Sequence, residues 1–130
     1  MSKNNTATQP LDPRVKRGII LFNQKKYFEA HEELELAWRD EVGDIRNFYR
    51  GILQIGVAFY HIEHKNYSGA IKLFQRAQKW LSPYTGIILG INISKLKSEA
   101  VLIQRMIEQR VNTPDGLSNT INFPKIEMNF

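Results

Sequence analysis

The chain has 130 residues, 42% of them apolar and 24% charged, enough for one compact soluble domain with its own core. It has no cysteine, which excludes disulfides, thiolate metal centres and a cysteine nucleophile, and a reducing cytoplasm is the expected location. The net charge of +5 is uneven: seven of the thirteen acids lie between Glu29 and Asp44, while residues 65–110 hold eight Lys or Arg against Glu99 and Glu108.

In chain order, residues 1–11 read as a flexible polar lead-in, without the apolar core of a signal peptide. A helical domain is expected over residues 12–112. Asp12 is placed to cap a first helix, with Pro13 at its first position, running to about Gln24 on the apolar side formed by Val15, Ile19, Ile20 and Phe22. Lys25 and Lys26 form a short turn. The second helix spans about Tyr27–Glu41 and is broken by Gly43-Asp44, where Asp44 can cap the next.

The third helix, about Ile45–His64, is apolar on nearly every face, which predicts a central helix packed on all sides. Its longest apolar run, Ile52–Tyr60, is interrupted by Gln54 and is far too short to span a membrane. Lys65-Asn66 turns the chain into a fourth helix, about Tyr67–Leu81, ended by Ser82-Pro83. A loop reaches about Gly90. The fifth helix, about Asn92–Arg110, carries the stripe Ile93, Leu96, Ala100, Ile103 and Ile107. Pro114-Asp115-Gly116 reads as a turn, and the tail over residues 113–130 is expected to lie extended across the domain.

An internal echo runs through this pattern. Tyr27, Ala30, Leu34 and Ala37 match Tyr67, Ala70, Phe74 and Ala77 at a period of forty residues. Each set follows an apolar helix and a short turn. The fold expected is therefore all-α: about five helices in tetratricopeptide-like antiparallel hairpins, forming a small bundle.

The second helix also carries the chemistry. His31, Glu35 and Trp38 are four and seven residues apart, one turn above another on a single helical face. That face includes the core positions Tyr27, Ala30 and Leu34, so an imidazole and a carboxylate are expected inside an apolar stripe. Burying such groups is costly unless they are hydrogen-bonded, paired or metal-bound. His31 and Glu35 can both reach one divalent cation. Gln54 and His61, the internal polar residues of the third helix, are seven apart and would meet them if the two helices pack antiparallel. Glu32 points about 100° away and is a weaker candidate. His64 lies near the helix end and is expected to be exposed.

The bland alternative is structural: a buried His31–Glu35 pair, reinforced by Gln54 and His61, as a satisfied polar network fixing helix register. On that reading His31→Ala strands Glu35 and costs about 1–3 kcal/mol. Trp38, Trp80 and the tyrosines read as core. The fifth motif position is Glu35 where a zinc protease has its second histidine, and neither a di-iron pattern, a phosphate loop nor a Gly-x-Ser-x-Gly elbow is present.

Phe22-Asn23, the run Tyr27-Phe28-Glu29-Ala30-His31-Glu32-x-Leu34-Glu35-x-x-Trp38, the run Gly51–Ala58 with Tyr60-His61, and Asn66-Tyr67-x-Gly69-Ala70 together resemble the domain of unknown function 309 family, over roughly residues 14–112. The resemblance implies a small all-helical protein without an assigned activity. It also implies a functional role, with metal binding suggested, for the motif that falls here on His31, Glu35 and Trp38.

The leading expectation is a divalent metal or small ligand held at His31, Glu35 and His61, with Glu32, Gln54 and Trp38 in support. Were the site catalytic, a metal-bound water with Glu35 or Glu32 as proton acceptor is the simplest scheme. The competing class is a non-enzymatic helical-repeat module that engages a protein partner or a second copy, its polar cluster being architecture. Nucleic acid, through Lys72, Arg76, Lys79, Lys95, Lys97 and Arg105, is a weaker third, because no arginine-rich run or stacking motif accompanies those charges.

Overall fold

The computed structural model describes residues 10–110 and 121–129. The first nine residues of the lead-in, the Pro114-Asp115-Gly116 turn and the start of the tail lie outside the described residues. The first helix, α1 (Pro13–Asn23), starts where the Asp12 side chain accepts from the Arg14 amide at 2.8 Å, with Pro13 in the first turn. Its buried side is Val15, Gly18, Ile19 and Phe22. Lys25 takes a left-handed φ of 63° in the turn to α2 (Tyr27–Asp40), which buries Tyr27, Ala30, Leu34 and Ala37.

The third helix, α3 (Arg46–Glu63), has no side-chain cap. Ile45 occupies the capping position, and Asp44 instead offers its backbone carbonyl to the Tyr84 hydroxyl at 2.9 Å. Lys65, at φ 60°, repeats the left-handed turn into α4 (Tyr67–Leu81), where the Asn66 side chain accepts from the Gly69 amide. Helices α1 to α4 pack antiparallel in sequence order. Leu34 of α2 lies against Gly18 of α1, Phe28 of α2 meets Tyr60 of α3, and Phe59 of α3 meets Phe74 of α4.

The expected loop before the last helix contains a small hairpin. Strand β1 (Ile87–Ile88) pairs antiparallel with β2 (Ile91–Asn92), and Leu89 and Gly90 between them both have positive φ, as a two-residue hairpin turn requires. Helix α5 (Ile93–Arg110) follows and packs on α4; Lys97 Nζ donates to the carbonyls of Leu81 and Tyr84 at 3.0 and 2.7 Å.

Residues 121–129 cross back over the helices. The side chain of Asn23 both donates to the Ile126 carbonyl (3.0 Å) and accepts from its amide (2.7 Å). Met128 bridges to Ile91, extending the small sheet. Phe123 stacks on Phe59 with ring centroids 5.2 Å apart, closing a ring cluster with Phe22, Tyr27 and Phe74. Such aromatic packing contributes both buried area and edge-to-face geometry.

Helix α3 departs from its expected burial on all sides. Arg46, Arg50, Leu53, Val57 and Tyr60 recur every three or four residues and are only half-buried. They form one open stripe along α3. Among the described residues no helix is long and apolar enough to cross a membrane.

Candidate functional site

Because α2 and α3 run antiparallel, the His31 end of α2 faces the His61 end of α3. His31 and His61 line one groove with Tyr27, Phe28, Val57 and Tyr60, of about 130 Å³. The two histidines are therefore brought together as the spacing predicts. Phe28 is exposed and lies 6.0 Å from the Tyr60 ring, forming the outer wall.

Depth is another matter. His31 Nε2 lies 3.6 Å from Glu35 Oε1, with the two side chains 30% and 50% exposed. The expected buried pair is instead a rim pair open to water. The two residues sit on the core-facing half of α2 in projection, yet at the edge of that half, where the seam with α3 meets solvent. Side chains so placed keep much of their hydration.

His61 is more constrained. Burial, and then the nearby charge of His64, hold its pKa below the usual imidazole value. A group so placed is neutral at physiological pH. Its Nδ1 is 3.4 Å from the Asn66 amide nitrogen and accepts from it, which leaves the proton on Nε2. His64 is exposed, as expected, and its Nδ1–H donates to the Tyr60 carbonyl at 2.9 Å. Glu32 is exposed.

Gln54 is buried, only 8% exposed, but its Oε1 has no hydrogen-bond partner among the described residues. No hydrogen bond joins it to His31, Glu35 or His61, so the expected four-residue polar network is not formed. Trp38 is half-buried and its indole Nε1 also has no partner. Among the described residues, no three His, Asp or Glu side chains gather closely enough to hold a metal ion.

Sequence reasoning passed over the groove walls and the start of α3. Tyr27 is core, as expected, whereas Tyr60 is only half-buried. Arg46 and Arg50 are the two arginines of α3 and lie in register with Gln54, Val57 and His61, a signal legible in the spacing.

The chain is 31% identical over 88 residues to "Uncharacterized protein YpuF" of Bacillus subtilis (strain 168). The match covers 65% of this chain and 49% of that protein, so the chain spans about half the length of the curated relative it matches. Residues 15–73 match the family described as "Domain of unknown function (DUF309)". That stretch contains His31, Glu35, Trp38, Arg46, Arg50, Gln54 and His61, and stops before Trp80. Over residues 15–73 the chain is therefore similar to the DUF309 family.

Proposed function

We propose that this protein binds a small organic ligand of about single-ring size in the groove between α2 and α3. His31 and His61 line it together with Tyr27, Phe28, Val57 and Tyr60, and its wall is almost wholly apolar. The observation that carries this reading is the convergence of two histidines, thirty residues apart in sequence, on one largely apolar groove. Small-molecule sites are lined predominantly by apolar and aromatic side chains. The groove's volume of about 130 Å³ is of the order of the engineered apolar cavity, roughly 150 Å³, that admits benzene. The groove's exposed lining is almost wholly apolar, which suits a flat apolar ligand body.

A divalent metal is the second reading. His31 Nε2 and Glu35 Oε1 lie 3.6 Å apart, a separation two atoms can keep while bound to one ion. Completing the shell would then fall to donor atoms of the ligand itself, since no third protein group is at hand among the described residues.

Titrating the protein with indole and, separately, with zinc, while following the histidine ring protons by NMR, tests the choice. Saturable shifts of His31 and His61 with indole alone, lost in His61→Ala, are expected. Shifts with zinc at one equivalent and none with indole would transfer the site to the metal reading.

A further inference from the structure

A second cluster occupies the other end of the α2–α3 seam, about 20 Å along α3 from His61 at the helical rise. Arg46 places its guanidinium carbon 4.5 Å from the Trp38 ring centroid. Arg50 lies 5.2 Å from Trp38 and 4.3 Å from Trp80, so one guanidinium bridges indoles carried by α2 and α4. Lys79 Nζ lies 5.5 Å from the Trp80 ring and adds a third positive charge. Contact with an indole face fixes the plane of a guanidinium and leaves its N–H edge free to donate.

These donors lack acceptors. Arg46 uses only Nε, which donates to the Trp38 carbonyl at 3.1 Å. Arg14 and Arg17 are paired with Asp12, Asp40 and Glu33, but none of the ion pairs among the described residues involves Arg46 or Arg50. Asp40 pairs with Arg14, Glu35 lies against His31, and Glu41 accepts from the Gly43 amide. Two half-buried like charges thus sit one turn apart on a single helix face, an arrangement that is unfavourable by itself. Planar guanidinium forks are complementary to an oxyanion.

We propose that Arg46 and Arg50 bind an oxyanion of the phosphate class, either inorganic phosphate or a phosphate monoester, on their free N–H edges beside the rings of Trp38 and Trp80. The assignment is independent of the histidine groove. Its readout is unusually clean, because Trp38 and Trp80 are the two tryptophans of the chain and both belong to the cluster.

The test is tryptophan fluorescence of the full chain, titrated with inorganic phosphate and with phenyl phosphate, against chloride and acetate at matched ionic strength. Phosphorus NMR line width serves as the second measurement. A saturable change with a phosphate probe and none with chloride or acetate is expected. Tighter binding of phenyl phosphate identifies the monoester as the ligand, and equal binding identifies phosphate alone. Arg50→Lys, which keeps the charge but loses the fork, should weaken binding about tenfold or more, and Arg46→Lys likewise. Circular dichroism of each variant checks that it is folded, and Arg105→Gln should bind as wild type.

An equal response to acetate, a wild-type response in a folded Arg46→Gln/Arg50→Gln double variant, or silence in both measurements would overturn the proposal. So would binding confined to oligonucleotides and falling steeply with salt, which would assign the cluster to nucleic acid.

Discussion

The hairpins α1–α2 and α3–α4 share a turn and a set of core positions, and differ in what their outer seams do with polar groups. Lys25 and Lys65 adopt the same left-handed conformation. Tyr27 and Tyr67, Ala30 and Ala70, Leu34 and Phe74, Ala37 and Ala77 are all buried. At the three motif positions the resemblance ends, since Ile71, Gln75 and Gln78 replace His31, Glu35 and Trp38. Ile71 packs on the core, and Gln78 donates to Gln104, whose amide donates in turn to Glu108 at 3.1 Å. The α4–α5 seam is thus stitched from within. The α2–α3 seam leaves Trp38 Nε1 and Gln54 Oε1 without partners and two arginines without carboxylates. Buried polar groups are nearly always satisfied, so a seam with spare donors and acceptors differs in kind from one that pairs its own. The scaffold can be built with either chemistry; the open seam is therefore not demanded by the fold.

The contrast breaks hardest at Phe59, which touches rings from both hairpins and the tail. Phe59→Ala should lose about 3–5 kcal/mol in urea denaturation, and amide exchange should rise in both hairpins together. A loss confined to one hairpin would show that they are separate units. Asn23 has no counterpart in the second hairpin, where Glu63 stands in its place and is exposed. Asn23→Ala removes both bonds to Ile126 and should cost about 1–3 kcal/mol, with protection lost chiefly over residues 121–129.

Asp12→Ala deletes the cap of α1 and should cost about 1 kcal/mol at neutral pH. Arg14 holds the Asp12 carboxyl below its ordinary range, so its contribution is present above that range and fades as pH falls and the carboxyl protonates. The variant and the wild type should therefore converge in acid. His31→Ala should stay within about 0.5 kcal/mol of wild type, because its side chain is at the rim and partly in water. A loss as large as the buried reading requires would erase the distinction between the two seams.

The smallest effect concerns His61. Its folded pKa is depressed, so the folded state binds fewer protons than the unfolded chain, and stability should decline as pH falls through the ordinary imidazole range. His61→Gln should flatten that decline in thermal melts.

Much of this arrangement is legible in the chain. Helical periodicity and the Asp12-Pro13 signal place α1 to α5 within a residue or two, because apolar spacing reports which way a side chain points. Spacing does not report depth. His31 and Glu35 share a helical half with Tyr27 and Leu34, yet the seam geometry sets them at its edge. The hairpin at Ile87–Asn92 is hidden because two-residue strands carry too little alternation to detect, and part of what fixes it is Met128, far away in sequence. The Arg50 bridge needs three helices at once, so no local window contains it.

The clamp of Asn23 on Ile126 spans 103 residues. The same is nearly true of Tyr27 and Phe123. The first hairpin thus waits for the far end of the chain before its ring cluster is complete. At ribosomal rates of about 5–20 residues per second, that interval is of the order of 5–20 s. During it the Phe22, Tyr27 and Phe59 rings lack their last cover, and contacts of such long sequence separation are the slow ones to form. A nascent chain halted before Phe123 should therefore be the form of this protein most prone to capture by a chaperone or to aggregation.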